Sequence, residues 1–366
     1  MSGARVTVVF LLYNAERTVP MLVAALARQR HPDLSRQADW LEALFVDDCS
    51  GDGTPRVLAR ALEERGAPPS WRSVRHETNL GLAATLNRAF GQVRTPFALS
   101  CHCDCEFGTD TYVADLLGLI ESRKDAGVIT GKPTVPPGRE PSFAERVNLI
   151  ANLMDVLPPE TDAPLAPVGF AEGRCDIFRL DALRKAGFYD TTLRTAGEDQ
   201  VLAARLRGCG YEVLQAPHLP YFLSVSDEQD TIGKLLRHQR LFGRAHPYIL
   251  LRTRRASRGV AGRTAGSNRQ ARLLLRAQQA ASTVALAAAV AAVAMGAAPL
   301  WLAGVLGLLA ATKALLFRRH LRAVPLRGRE WLAFALLQPF LDASYTVGLA
   351  QGLVAAALGS PARPID

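Results

Sequence analysis

The sequence predicts an α/β domain built on a mostly parallel sheet, followed by an all-α membrane region. Three observations carry this. Strand-like and helix-like runs alternate through the first two hundred residues. An uncharged stretch of 36 residues, 277–312, lies in the rear third. The charge also divides: residues 1–232 hold 24 Lys and Arg against 31 Asp and Glu, whereas residues 233–366 hold 19 against 3. An acidic front and a strongly basic rear exclude a uniformly positive nucleic-acid binder and point to two parts with different surroundings. At 49% hydrophobic and 21% charged residues, the chain is too apolar for wholesale disorder.

The elements follow in order. Val6 to Leu12 is a continuous apolar run of strand length, and Val19 to Gln29 shows helical spacing at Val19, Leu22, Val23 and Leu26. Leu41 to Val46 is a second strand, ending in Asp47-Asp48, and Thr54 to Arg65 a second helix capped by Asp52 or Thr54. A short strand at 73–75 leads through Asn79-Leu80-Gly81 into a helix ending at Phe90. Phe97 to Cys101 is a fourth strand, ending at His102-Cys103-Asp104; 110–122 is helical and 128–130 a fifth strand. Such alternation implies parallel strands. Ligands of these sheets bind at the carboxyl ends of the strands. Tyr13-Asn14, Asp47-Asp48 and His102-Cys103-Asp104 all fall there.

Carboxylates at those ends suit a nucleotide diphosphate: they accept hydrogen bonds from a base or ribose and hold a divalent cation against phosphates. Neither a GxxxxGK[ST] loop nor a GxGxxG after a strand is present, which disfavours P-loop and dinucleotide readings. The six cysteines follow no secretory signal, so free thiols on a reducing side are expected. The His and Cys density at 101–105 lacks the second ligand pair of a zinc site.

In the rear part, the uncharged run exceeds the ~20 residues that cross a bilayer, and Met295 to Pro299 interrupts it. Two spans, 277–295 and 299–317, are expected, with Lys313 snorkelling near the end of the second. Basic residues flank both ends, twelve of them in 233–276, which places both ends in the cytoplasm of an inner-membrane, multi-pass protein. A third apolar stretch, 331–358, contains Gln338, Pro339, Asp342 and Gln351; it either spans or forms a broken or re-entrant helix. The basic segment 233–276 is read against anionic lipid or lipid phosphate, not nucleic acid.

The residues resemble the family-2 glycosyltransferases of the A fold (GT-A). Val6 to Glu16, with Tyr13-Asn14, is similar to their opening strand and Tyr-Asn motif. Phe45-Val46-Asp47-Asp48-Cys49-Ser50-Gly51-Asp52-Gly53-Thr54 resembles Val-Asp-Asp-Gly-Ser-x-Asp-Gly-Thr. Asn79-Leu80-Gly81 through Asn87 resembles the Asn-x-Gly…Asn segment, and Gly197-Glu198-Asp199 the Glu-Asp acceptor motif. The similarity covers about 5–217. It implies a domain at 1–232 that binds a nucleotide diphosphate sugar. Tyr13 and Asp47 would lie at base and ribose, Asn14, Glu16 and Asp48 nearby, and Asn79, Gly81 and Asn87 around the nucleotide and phosphates.

Asp104 matches the last Asp of the metal-bearing Asp-x-Asp and Asp199 the catalytic base, with Glu198 beside it. His102 replaces the first Asp of that motif, so Asp104, Glu106 and His102 are expected to share Mg²⁺ or Mn²⁺, or His102 to contact ribose or phosphate. Arg237, Arg240 and Arg244 fall at i, i+3, i+7 in a segment that resembles the Arg-x-Tyr-Gly-Arg region of succinoglycan-type exopolysaccharide glycosyltransferases. These arginines are expected to hold the diphosphate of a polyprenyl-linked acceptor. The resemblance implies an inverting, metal-dependent transferase acting on a polyprenyl-linked or glycan acceptor. A polyprenyl-phosphate monoglycosyltransferase and a non-catalytic nucleotide-sugar-binding subunit remain as alternatives.

Overall fold

The computed structural model describes residues 3–65, 70–152, 163–193, 196–223, 231–256, 269–296 and 300–359. The front part runs β1 (Val6–Leu12), α1 (Val19–Ala27), β2 (Leu41–Asp47), α2 (Thr54–Arg65), β3 (Trp71–Arg75), α3 (Leu82–Gln92), β4 (Phe97–His102), β5 (Cys105–Phe107) and α4 (Tyr112–Ser122). It continues through β6 (Ala126–Thr134), α5 (Phe143–Asn152), β7 (Ala166–Pro167), β8 (Cys175–Arg179), α6 (Leu180–Ala186), α7 (Glu198–Gly208) and β9 (Glu212–Leu223). All five strands and all four helices expected up to residue 130 are present.

The strands form one sheet in the order β3-β2-β1-β4-β8-β6-β9-β5, with β7 on β9. From β3 to β4 every neighbour is parallel. Beyond β4 the sheet becomes mixed, because β8 inserts antiparallel between β4 and β6. That insertion serves the site: the amino end of an antiparallel strand lies at the same edge as the carboxyl ends of its parallel neighbours.

Both faces of the sheet are covered, which explains why β1 is apolar throughout. Val6, Val8, Phe10 and Leu12 pack with α1, α2 and α4. Val9 and Leu11 face the other way, toward α3, α6 and α7. Successive strand side chains alternate in direction, so such a strand needs no polar side.

The rear part is helical: α8 (Ile232–Ala256), α9 (Arg269–Ala294), α10 (Leu300–Leu316), α11 (Arg318–Ala323) and α12 (Glu330–Ala357). Two stretches, Leu274–Ala294 and Glu330–Ala357, are long and apolar enough to cross a bilayer, and Ala303–Leu316 is a shorter apolar helix. The third apolar stretch is therefore one helix, not a broken one, with Pro339 inside it. The basic segment does not stand apart: residues 232–256 are α8, and α9 begins at Arg269, ahead of the uncharged run. The expected turn at 297–299 and residues 257–268 lie outside the described residues.

Glycines set the contact between α8 and α12. A Cβ at Gly243 would lie 2.1 Å from the Tyr345 carbonyl, one at Gly348 2.0 Å from the Arg240 carbonyl, and one at Gly352 2.2 Å from the Arg244 carbonyl. Backbone touches backbone here, as small residues permit between helices. Asp342, singled out in the sequence as a lone acid in an apolar helix, pairs with Lys313 of α10 and accepts a hydrogen bond from Gln278 of α9 at 3.3 Å. A buried charge is tolerated only when paired.

Candidate active site

The register of the parallel strands brings the strand ends together. Leu12 lies opposite Asp47, and Leu11 opposite both Val46 and His102. With strands ~4.8 Å apart, the Tyr13, Asp47 and His102 ends occupy one short edge. Tyr13 is 49% exposed there, an aromatic face open to a planar ligand. The Asp47 Oδ1 accepts hydrogen bonds from the Ser50 amide and hydroxyl. Its Oδ2 is buried and makes no hydrogen bond, although Arg75 Nε stands 3.2 Å away as an ion-pair partner. A buried acceptor without a donor is costly unless a ligand supplies one.

Several expected donor-binding residues are instead committed to the loops. Asn14, at φ +48°, accepts the Gly51 N–H at 2.9 Å, and Glu16 accepts the Gly53 N–H at 3.0 Å. They tie the loop after β1 to the loop after β2, so they position Tyr13 and Asp47. Asp48 accepts from the Leu80 and Gly81 amides at 2.9 and 3.0 Å and meets His76 Nδ1 at 2.9 Å. Desolvation pushes its carboxyl up, but these hydrogen bonds outweigh it and hold the group below its ordinary range. Asn79 closes its own turn onto the Gly81 N–H, and Gly81 adopts φ +79° at the start of α3. Asn87 makes two 2.9 Å bonds with the Tyr189 backbone. Asp48 and Asn87 thus have their polar side-chain atoms engaged within the fold, and Asn79 its Oδ1.

The metal set divides. Glu106 turns to Arg28, 3.0 Å away, beside Asp110. Among the described residues, no group of three His, Cys, Asp or Glu could hold a metal, so the trio Asp104, His102 and Glu106 is not assembled. Asp104 and His102 remain together at the strand end. Desolvation, helped by Arg174 and opposed by Asp104, drives the His102 pKa down to about 4. Its Nε2 is therefore a neutral, buried nitrogen without a partner. One carboxylate and one imidazole fit a divalent cation that draws its other ligands from phosphates and water. All six cysteines are free, and desolvation raises Cys103 to about 11 and Cys105 to about 12, so neither offers a thiolate.

The sequence reading overlooked two residues, Glu172 and Arg174, that stand beside Asp104. Arg174 precedes β8, and its carbonyl accepts the His102 N–H at 3.0 Å. Its Nη1 stands 3.2 Å from Asp104 Oδ2 and its Nε 3.1 Å from Glu172 Oε2. Glu198 and Asp199 open α7, whose preceding Gly197 has φ +90°. Desolvation, then the Glu198 charge, raise Asp199 well above its ordinary range; Glu172 adds to this, against a hydrogen bond from the Gln200 amide. Glu172 is raised by desolvation, eased by Arg174. Charged groups at an antiparallel strand's amino end were the available signal: Glu172-Gly173-Arg174 directly precedes β8.

Helix α8 closes this edge. Ile249 packs against Gly197, and Arg252 Nε bonds Asp190 Oδ2 at 2.7 Å. The expected arginine face is partly spent, since Arg240 Nε donates to Gln351 of α12 at 3.1 Å. His238, in the same segment, is held below its ordinary range by desolvation and by Arg174, which places it near the acidic cluster.

Residues 7–185 match the family model described as glycosyl transferase family 2. Over that stretch, just under half of its length, the chain is similar to this family. The matched segment spans β1 to α6 and stops before the Glu198–Asp199 pair. Among solved structures, the chain is similar to a mannosyltransferase from Pyrobaculum calidifontis, solved with GDP-Man and Mn²⁺. Identity is 18% and the TM-score 0.58, over 95% of this chain and 87% of that one. S. aureus TarS 1-349 with UDP is also similar, at 17% identity and a TM-score of 0.47, over 99% and 94%. No curated protein matches the chain. The fold is thus the GT-A fold with a helical C-terminal region.

Proposed function

We propose that the chain is a membrane-bound, inverting glycosyltransferase that moves a sugar from a nucleotide diphosphate sugar to a polyprenyl-linked or glycan acceptor in envelope or exopolysaccharide assembly. One arrangement supports this reading: Asp47 and Asp104 share a sheet edge, and Arg174 pairs with both Asp104 and Glu172, whose charge in turn raises the Asp199 carboxyl. Tyr13 and the Oδ2 of Asp47, which makes no hydrogen bond and faces Arg75 Nε, receive the nucleoside. Asp104 and His102 Nε2 would hold Mg²⁺ or Mn²⁺, and such a cation supplies charge neutralisation for the departing diphosphate. The Pyrobaculum structure, solved with GDP-Man and Mn²⁺, supports a nucleotide sugar and a divalent ion for this site.

Asp199 acts as base. Its carboxylate takes the proton of the acceptor hydroxyl; that oxygen bonds to the anomeric carbon, and the bond from this carbon to the diphosphate oxygen breaks with inversion. A raised pKa strengthens the carboxylate as a base. No enzyme nucleophile is needed, consistent with buried, protonated thiols.

The rear helices support a membrane-bound acceptor. Val284, Val290, Val293, Leu308, Leu336 and Phe340 are exposed side chains on α9, α10 and α12, a surface suited to lipid. With the basic flanks on the cytoplasmic side, α8 lies between bilayer and active site, carrying Arg237 and Arg244 toward a lipid diphosphate. The test is nucleotide release from UDP-, GDP- and TDP-sugars by the full chain in lipid nanodiscs, with and without polyprenyl phosphate or polyprenyl diphosphate glycan. Release that rises with the glycan-bearing lipid is expected. Release only with polyprenyl phosphate would move the assignment to a monoglycosyltransferase, and none with any donor would favour a non-catalytic subunit.

A further inference from the structure

Arg174 occupies the carboxylate that a cation would need. Its guanidinium lies between Asp104 at 3.2 Å and Glu172 at 3.1 Å, and the three side chains are only 29%, 20% and 17% exposed. The root of the residue is fixed, because the His102 N–H binds the Arg174 carbonyl. Arg174 therefore moves with the strand end that carries His102 and Asp104. Its second anchor has a consequence: the guanidinium can release Asp104 and still face the Glu172 carboxylate.

We infer that Arg174 is a resident counter-cation that competes with the divalent ion for Asp104 and yields that carboxylate when a nucleoside diphosphate enters with the ion. This rests on the reading of Asp104 as the ion's protein ligand. Positive charge beside the ligand disfavours a second cation, so the nucleotide-free protein binds the ion weakly. The diphosphate brings negative charge that accommodates both the ion and the displaced guanidinium. Ion and nucleotide then bind with positive coupling, each tightening the other by the same factor.

The experiment is Mn²⁺ binding to the full chain in nanodiscs, read from the loss of the free-ion electron paramagnetic resonance signal, alone and with UDP or GDP. Arg174→Gln should tighten Mn²⁺ binding without nucleotide about fivefold, the size expected of one partly exposed ion pair, and should reduce the coupling to nucleotide. Arg174→Lys keeps the charge and should stay within about twofold of wild type. Unchanged or weaker Mn²⁺ binding in Arg174→Gln, or equal tightening by the Lys variant, overturns the competition while leaving the metal site standing. Asp104→Asn should abolish the binding; if it does not, the metal site itself falls. Melting temperatures of the two Arg174 variants, expected to match wild type, confirm that folded proteins are compared.

Discussion

Gly197 offers a sharp test of how α8 seats the base-bearing helix. The residue holds φ +90°, and a Cβ there would lie 2.1 Å from Ile249 Cδ1 and 2.4 Å from Cγ1. Gly197→Ala thus meets two costs. The left-handed backbone costs about 1–2 kcal/mol for a residue with a Cβ, and overpacking against Ile249 costs about 1–3 kcal/mol. Only the second is shared with Ile249. Ile249 is nearly fully buried, so Ile249→Ala alone should cost about 2–4 kcal/mol. The double variant should then be less damaged than the two singles together by the shared part, about 1–3 kcal/mol. The assay is apparent melting of the four proteins in nanodiscs, paired with nucleotide release. Asp199 stands two residues beyond Gly197, so the single Ala variant should also turn over slowly, with partial recovery in the double. Strictly additive costs, or normal turnover by a folded Gly197→Ala protein, would refute the seating of α7 by α8.

Further outcomes follow from the charges. The base acts ionised, so activity falls as pH drops through the raised Asp199 pKa. Removing the neighbouring charge with Glu198→Gln should move that acidic limb of kcat/KM to lower pH, and an unmoved limb would contradict the pairing. Asp176 is pushed to about 7 by desolvation, against hydrogen bonds from Thr130 and the Gly173 amide. The folded chain keeps a proton that the unfolded chain has released, so stability falls as pH rises from about 4 to about 7 and is level above. Asp176→Asn should flatten that slope, worth at most ~4 kcal/mol, in melting curves recorded across pH. Asp342→Asn should destabilise the helical region by about 3–5 kcal/mol by leaving Lys313 buried and unpaired. Adding Lys313→Met should recover most of it, and a double variant no better than the single would count against the pair.

The sequence exposed what local pattern encodes. Apolar runs of strand length and 3.6-residue spacing placed β1 to β4, β6 and α1 to α4, and the acids at strand ends marked the site edge; the three-residue β5 was too short to show. Residue type did not disclose how each polar atom is spent. Asp48 and Asp47 are neighbours of identical chemistry, yet one is consumed by the Leu80–Gly81 turn and the other keeps an oxygen that makes no hydrogen bond and meets only the Arg75 ion pair. Glu106, two residues from Asp104, lies in β5 and pairs with Arg28, whereas Asp104 sits in the turn before that strand. Arg240 found Gln351, 111 residues away, through a helix contact that glycines on α8 and α12 permit. Glu172 and Arg174 went unnoticed because parallel β/α logic looks at carboxyl ends, while β8 presents its amino end. The partner of Asp342 could not be read from composition either: Lys313 looked like a snorkelling helix end, yet it is 5% exposed.

The most direct trial of a shared donor and acceptor site separates binding from turnover. Calorimetric binding of the donor that wild type uses should be within about twofold of wild type in Asp199→Asn, while its nucleotide release falls at least ~100-fold. Asp104→Asn should lose donor affinity along with release. Near-normal release by Asp199→Asn, or undiminished donor binding by Asp104→Asn, would contradict the account.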